Sequence, residues 1–485
     1  MGKKTVVKCL LDDSAVLDCL LENGIDEGKA KYHMNKLINA VAREEEKVWE
    51  RLEKEQACKQ DKDTDPLEAC TNLSEFDITT QREIPSSFYA ILKDWKITTS
   101  KLVHVSESTD YVTTKLLIEL ESGNQIEAVV LRHNKRTTLC VSSQVGCKMG
   151  CTFCATGTLG QKENLSAGEI LEQVVHANRF LKTSAEPRTV SNIVFMGMGE
   201  PLNNYHAVVT ACRAVNSRFG LQQHRLTVST VGVVNRMKTL HEDLPGVSLA
   251  LSLHAPNQEL RKKIIPTAGA YPIPKLLEAL ETYLGQRKAS TGKDAYVMIE
   301  YILLAGVNDM PEIAEELAQL LMPLKSQVKV NLIPYNPIFN PEGLAKTFVQ
   351  PSEEAQVRFK SILQDRHGIF CTIRTEMGQD VNGACGQLAC ISKEAREGGV
   401  DIEDLYRNRQ HDDLYNKQTG ENIRKKKATA QLKFRKRKQA ACGSQQSILD
   451  TLRQGVTENP LLATGVLAAV FASLAVITIR GMRSN

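Results

Sequence analysis

The densest reactive cluster in this sequence is Cys147-Lys148-Met149-Gly150-Cys151-Thr152-Phe153-Cys154, three thiols within eight residues. Thiols so close together, just after an apolar β-branched run, can close around one inorganic centre. A zinc site of three cysteines with a remote fourth ligand is one reading. Zinc sites usually present two separated pairs, whereas here three residues and then two separate the thiols. That spacing favours an iron–sulfur cluster held by Cys147, Cys151 and Cys154. Three thiolates on a four-iron cluster leave one iron open to a substrate-like ligand.

Other candidate polar groups also follow apolar runs. Gly197, Gly199 and Glu200 lie in MGMGEPLNN (196–204). Glycines there let the backbone approach a ligand, and the carboxylate can hold an ammonium group. The segment is not a dinucleotide fingerprint, because the third glycine is missing. Ser229, Ser252, Leu253 and His254 again close such runs, although a lone histidine is more often structural. Asn336, between Tyr335 and Pro337, reads by itself as a turn residue.

These groups need a scaffold that brings strand ends together. From about residue 136 the chain alternates strand and helix patterns. Strands are predicted at Thr137–Ser142, Ser191–Met196, Leu226–Ser229, Val247–Leu253, Tyr296–Leu304 and Val328–Ile333. Helices are predicted at Ser166–Leu181, Tyr205–Arg218, Pro274–Leu284 and Glu312–Leu321, the first opened by a Ser166–Glu169 capping box. Six such units predict an α/β fold, a partial (β/α)6 barrel over residues 136–395. Chemistry in such sheets sits at the carboxyl ends of the strands. Residues 1–95 read as an N-terminal helical accessory region, with a charged helix over 42–56. Residues 96–135 read as a small β extension with strands at Leu102–Val105, Tyr111–Glu119 and Gln125–Leu131.

Composition excludes two classes. A hydrophobic share of 42% and a charged share of 24% rule out wholesale disorder, and thirteen cysteines in 485 residues are too few for a disulfide scaffold. The net charge of +4 is unevenly spread. Residues 424–485 carry twelve Lys/Arg and two acids, a local +10, which leaves −6 for the rest. Nine of those basic residues lie in 424–438, within a tail spanning 396–460. The 19 uncharged residues Leu461–Ile479 would span roughly 28 Å as a helix, close to a bilayer core. They predict a C-terminal transmembrane tail anchor, with the catalytic body facing the cytoplasm.

The order of several motifs carries a resemblance. CVSSQVGC (140–147), MGMGEPLNN, LTVSTVG (226–232), LALSLHAPN (249–257), NLIPYNP (331–337) and GACGQL (383–388) resemble, in order, segments of the RlmN/Cfr family of radical S-adenosylmethionine (SAM) adenosine methyltransferases. The resemblance covers roughly residues 100–390. It implies one [4Fe-4S] cluster on Cys147, Cys151 and Cys154, with SAM on the open iron and two SAM consumed per turnover. It also implies SAM contacts from Gly199, Glu200, Ser229, Ser252, Leu253, His254 and Asn336. Cys385 would take a methyl group from one SAM. A 5′-deoxyadenosyl radical from the second would remove hydrogen from that methyl, and the carbon would add to adenine carbon 2. Cys140 would then resolve the adduct as a disulfide, with Glu127 accepting the ring proton. The implied substrate is an adenosine of tRNA or 23S-type rRNA, served by an electron donor such as flavodoxin or ferredoxin. The enzyme is expected to be monomeric.

Two departures bear on substrate. Met377-Gly378 stands where the family's bacterial form has Arg-Gly, and the first 95 residues match its accessory domain poorly. Radical SAM chemistry on another substrate is therefore one alternative. An inactive, membrane-tethered RNA-binding protein is another, although simple binding needs neither Cys140 nor Cys385. Cys9, Cys19, Cys58, Cys70, Cys212, Cys371, Cys390 and Cys442 read as structural.

Overall fold

The computed structural model describes residues 9–37, 85–134, 136–184, 186–292, 295–338 and 343–389, all within one compact unit, Met1–Ser392. Three antiparallel strands come first: β1 (Lys101–Glu107), β2 (Thr113–Glu119) and β3 (Gln125–Arg132). Then follow β4 (Thr137–Cys140) and a separate hairpin of β5 (Gln144–Cys147) and β6 (Gly160–Asn164). The parallel strands are β7 (Asn192–Phe195), β8 (Leu226–Thr230), β9 (Ser248–Ser252), β10 (Val297–Leu303), β11 (Val328–Pro334) and β12 (Cys371–Ile373). Apart from the hairpin they form one ten-stranded sheet in sequence order. From β4 onward every neighbouring pair is parallel.

The helices are α1 (Asp13–Glu22), α2 (residues 27–37), α3 (Ser86–Leu92), α4 (Ala155–Thr158), α5 (Ala167–Thr183) and α6 (Tyr205–Phe219). They continue as α7 (Val234–Asp243), α8 (Gln258–Ile264), α9 (Ile273–Thr291), α10 (Pro311–Leu321) and α11 (Glu353–Ser361). The capping box of α5 is formed: Glu169 N donates to Ser166 Oγ at 3.2 Å, and Ser166 N donates to Glu169 Oε2 at 2.8 Å. Each parallel crossover moves one place in the same direction. Right-handed crossovers then put the helices that connect parallel strands on one face of the sheet. The strands alternate accordingly: Leu139, Ile299 and Val330 are fully buried in the core, while Cys140, Glu300 and Asn331 line a cavity on the other face.

The β extension continues the catalytic sheet, because β3 pairs with β4. Seven parallel strands stand where six were predicted, since the three-residue β12 adds one more. The sheet is open, ending at β1 and β12. At the other end of the chain, α1, α2 and α3 pack around Val16, Leu20, Leu37, Leu92 and Trp95. A buried carboxylate joins this module to α5. Glu172 accepts from Thr99 N (2.9 Å), Thr99 Oγ1 (2.8 Å), Ser100 N (2.7 Å), the Ser100 hydroxyl and the Cys9 thiol (3.1 Å). With so many donors the charge tolerates complete burial.

No helix among the described residues is long and apolar enough to cross a membrane. The predicted span 461–479, the basic run 424–438, the tail 396–460 and the charged stretch 42–56 lie outside the described residues.

Candidate active site

The carboxyl ends of β7, β8 and β9 converge on a cavity of about 150 Å³ lined by Gly199, Glu200, Ser229, Ser252 and His254. The turn after β7 folds tightly over the chain after β4. Gly199 has φ +96°, and a Cβ there would sit 2.6 Å from the Gln144 side chain. Glycine is required on both counts. The turn presents Glu200, which is buried, and whose carboxylate accepts from Leu202 N at 3.0 Å and Val231 N at 2.8 Å. Burial pushes its pKa up to about 7, against the pull of those donors. His254 sits in the left-handed region at φ +62°. Its Nδ1 accepts from Ile302 N at 3.0 Å, and its ring stands edge-on to Phe153. Burial, then Arg261, lowers its pKa to about 3, so the imidazole is neutral with its proton on Nε2.

Cys147, Cys151 and Cys154 line the same cavity, at the end of β5, in the following turn and at the N-cap of α4. Burial raises all three pKa values, Cys147 to about 12. Backbone N–H groups of Gly157 and Thr156 and the Thr156 hydroxyl oppose this at Cys154, and Met149 N–H opposes it at Cys147. Among the described residues no three His, Cys, Asp or Glu converge tightly enough to hold a single metal ion. Neighbouring buried thiols that already receive N–H donors fit a cluster, where each sulfur takes its own iron and the irons supply the missing positive charge.

A second cavity, of about 650 Å³, shares Cys154, Glu300, Arg374 and Cys385 with the first. The loop carrying Cys385 is tied down on both sides. Gly386 O accepts from Ala155 N at 2.7 Å, Leu388 O accepts from Thr156 Oγ1 at 2.6 Å, and Asn336 Nδ2 donates to Cys385 O at 3.3 Å. Cys140 ends β4 and lines the same cavity. Its pKa rises to about 12, through burial first and then the neighbouring Cys385, while Arg374 pulls it down. The Arg374 guanidinium hydrogen-bonds Cys385 and faces Cys140 and Glu300; these groups raise its own pKa, Cys385 most of all. None of the nine described cysteines is in a disulfide.

Three of the expected residues lie outside the lining of the smaller cavity. Leu253 is wholly buried and lines neither cavity; its carbonyl accepts from Arg261 Nε at 3.0 Å. Asn336 lines the larger cavity, with Oδ1 accepting from Gln379 Nε2 at 2.8 Å. Glu127 lines neither cavity. It is buried, 3.1 Å from Lys115 Nζ, and accepts from Ala389 N at 2.9 Å. Two arginines were not anticipated. Arg374 is one; Arg261 is the other, fully buried, its guanidinium donating to the carbonyls of Val231 (2.6 Å) and Tyr271 (3.1 Å) as well as Leu253. Arg261 ties the chain after β8 to the chain after β9. Only tertiary placement distinguishes either arginine from an exposed one.

Residues 141–317 match the family model of the radical SAM superfamily. Over 310 residues the chain is 44% identical to a probable dual-specificity RNA methyltransferase RlmN 2 of Protochlamydia amoebophila, covering 64% of this chain and 82% of the relative. It is 42% identical over 303 residues to the ribosomal RNA large subunit methyltransferase N of Nitrosopumilus maritimus, covering 61% and 82%. A crystal structure of a radical SAM methyltransferase from Sphaerobacter thermophilus superposes with TM-score 0.62 at 35% identity, covering 78% of this chain and 98% of that one.

Proposed function

Because the chain belongs to the RlmN family of radical SAM RNA methyltransferases, we propose that it methylates carbon 2 of an adenosine in tRNA or large-subunit rRNA through a methyl group carried on Cys385. Its cofactors are one [4Fe-4S] cluster and SAM. The observation that carries the reading is the shared wall of the two cavities. Cys385, Arg374 and Cys154 line both, with Cys147 and Cys151 on one side and Cys140 on the other.

Cys147, Cys151 and Cys154 would hold the cluster, and Glu200, Ser229, Ser252 and His254 would hold SAM. Bound together, these groups supply the reducing electron, the methyl group and the hydrogen-abstracting fragment. Cys385 accepts the methyl group, so its sulfur must be reachable from the SAM side. After the carbon is joined to adenine, Cys140 attacks the Cys385 sulfur. The S–C bond to the product breaks as the S–S bond forms, and two external electrons restore the thiols. Glu127 serves as proton acceptor only if its ion pair with Lys115 opens. Mass spectrometry of RNA from cells with and without the protein tests the proposal. Loss of 2-methyladenosine is expected on deletion, and unchanged 2-methyladenosine in every tRNA and rRNA species would sink it.

Glu200 gives a pH signature. Its raised pKa makes it partly protonated near neutrality, whereas an arriving ammonium requires the carboxylate. SAM affinity should therefore fall as pH drops through about 7. Calorimetry at pH 6 should register proton release on binding, and Glu200→Gln should abolish this release together with most of the affinity. Glu200 alone also favours folding most below its unfolded pKa, an advantage lost as pH rises toward about 7.

We read the one-sided helix layer and the cavity along the opposite face as a partial barrel. Residues 1–95 remain its accessory region, and a one-electron donor its partner. The 19-residue apolar run supports membrane attachment through 461–479. Deleting that run should move the protein from the membrane to the supernatant fraction, and continued sedimentation with membranes would refute the anchor.

A further inference from the structure

The larger cavity opens away from the cluster. Its lining reaches Arg136, immediately before β4, Arg225, immediately before β8, and Tyr296, immediately before β10. All three are exposed, Tyr296 by 49%. These positions are the amino ends of parallel strands, opposite the ends that carry Glu200, Ser229 and His254. Arg136 and Arg225 have no ion-pair partner among the described residues. Nearby Arg132 and Arg188 are already paired, with Glu107 at 3.2 Å and Glu186 at 2.7 Å. Along the same rim, Lys329 of β11 holds its ammonium 3.5 Å from the Tyr296 ring centroid and 5.6 Å from that of Phe370, which is 54% exposed. His133 and His224 complete the rim.

The cavity also reaches the segment after β12, where the exposed charge beyond the inward-facing Arg374 is of the opposite sign. Glu376 is exposed and feels Glu353, and exposed Asp380 accepts from Thr109 N at 2.8 Å. Phosphates are repelled on that side and attracted at the amino ends.

We propose that the amino-end rim is the RNA entry face. A single-stranded loop lies across the amino ends of β4, β8, β10 and β11, its phosphates against Arg136, Arg225 and Lys329, with a neighbouring base stacked on Tyr296 or Phe370. The target adenine passes inward through the larger cavity to Cys385. SAM and RNA thus reach one sulfur from opposite ends of the sheet, so neither must leave for the other to enter. A volume of about 650 Å³ falls within the range of small-molecule sites and suits one extruded nucleotide. The proposal rests on the reading that the substrate is RNA.

The test uses the full chain and a fluorescein-labelled RNA hairpin with an adenosine-bearing loop. Arg136→Ala/Arg225→Ala should lower the slope of log affinity against log salt by about 1.4, and Tyr296→Ala should weaken binding roughly ten- to hundredfold. Arg136→Lys/Arg225→Lys and Tyr296→Phe, which keep charge and stacking surface, should restore most of each loss. A thiouridine beside the loop adenosine should crosslink on irradiation to peptides containing Tyr296 or Phe370. Unaltered salt slopes in the double variant, or crosslinks confined to peptides around Glu353 and Glu376, overturn the entry face while leaving the RNA reading intact. A wild-type chain that neither binds nor methylates any RNA overturns both.

Discussion

Replacing Cys140 by alanine is expected to leave the enzyme covalently attached to its RNA after a single event. Cys385 can still accept the methyl group and pass its carbon to adenine, but no thiolate remains to cleave the Cys385 link. The proposed mechanism gives the resolving step to Cys140. Besides Cys385 it is the thiol lining the larger cavity, among the described residues, that lies outside the three-cysteine motif, and the charge of Cys385 already opposes its ionisation. On a denaturing gel the Cys140→Ala protein should run as a protein–RNA adduct that vanishes in Cys140→Ala/Cys385→Ala. Nuclease treatment should leave a nucleotide mass on the peptide containing Cys385. Multiple turnover by Cys140→Ala would exclude resolution by this thiol, and with it the disulfide-forming step.

Local signals carried most of this architecture. The Ser166–Glu169 box predicted where α5 begins, and the six β-branched runs became β4 and β7–β11 within two residues at each end. Three-dimensional register was less legible. Glu127 stands opposite Leu117 across β2 and β3, which brings Lys115 into reach diagonally, two residues away on the same face. Nothing in QIEAVVL reveals that neighbour, so the buried ion pair could not be read from the sequence. Likewise, β12 is too short for alternation to show, yet it is the element that delivers Arg374 to the cavity. Motif resemblance found the cysteines because their spacing is local or their flanks are distinctive. It missed Arg261 and Arg374 because an arginine is made structural by the carbonyls and sulfurs it meets. Net charge misled in the same way: +4 for the chain says little about a rim where Arg136 and Arg225 line the cavity and Lys329 packs on Tyr296.

The largest effect outside the cysteines should follow from Arg374→Met. Backbone pairing of Arg374 N with Leu332 O at 2.8 Å fixes the residue just past β12, and its guanidinium then meets Cys385, Cys140 and Glu300 at once. A guanidinium in this position stabilises negative charge on either sulfur. Burial holds Cys140 at about 12 even with that help, so its thiolate is scarce at neutral pH. Without the cation its pKa moves higher still, and each further unit costs tenfold in thiolate. An opposite charge at close range is worth about one to three units, so resolution should slow roughly ten- to thousandfold. The sign is testable: the variant's rate should keep climbing with pH beyond the range where the parent levels off. Glu300, buried and left with Asn331 as its remaining polar contact at 2.8 Å, should also become easier to protonate. Arg374→Lys keeps the charge but loses the planar fork, and should fall between the two. Adduct lifetime after quenching, measured against pH by intact-protein mass spectrometry, separates this electrostatic role from a purely structural one. A slower variant with an unchanged pH profile would mean that Arg374 only shapes the wall.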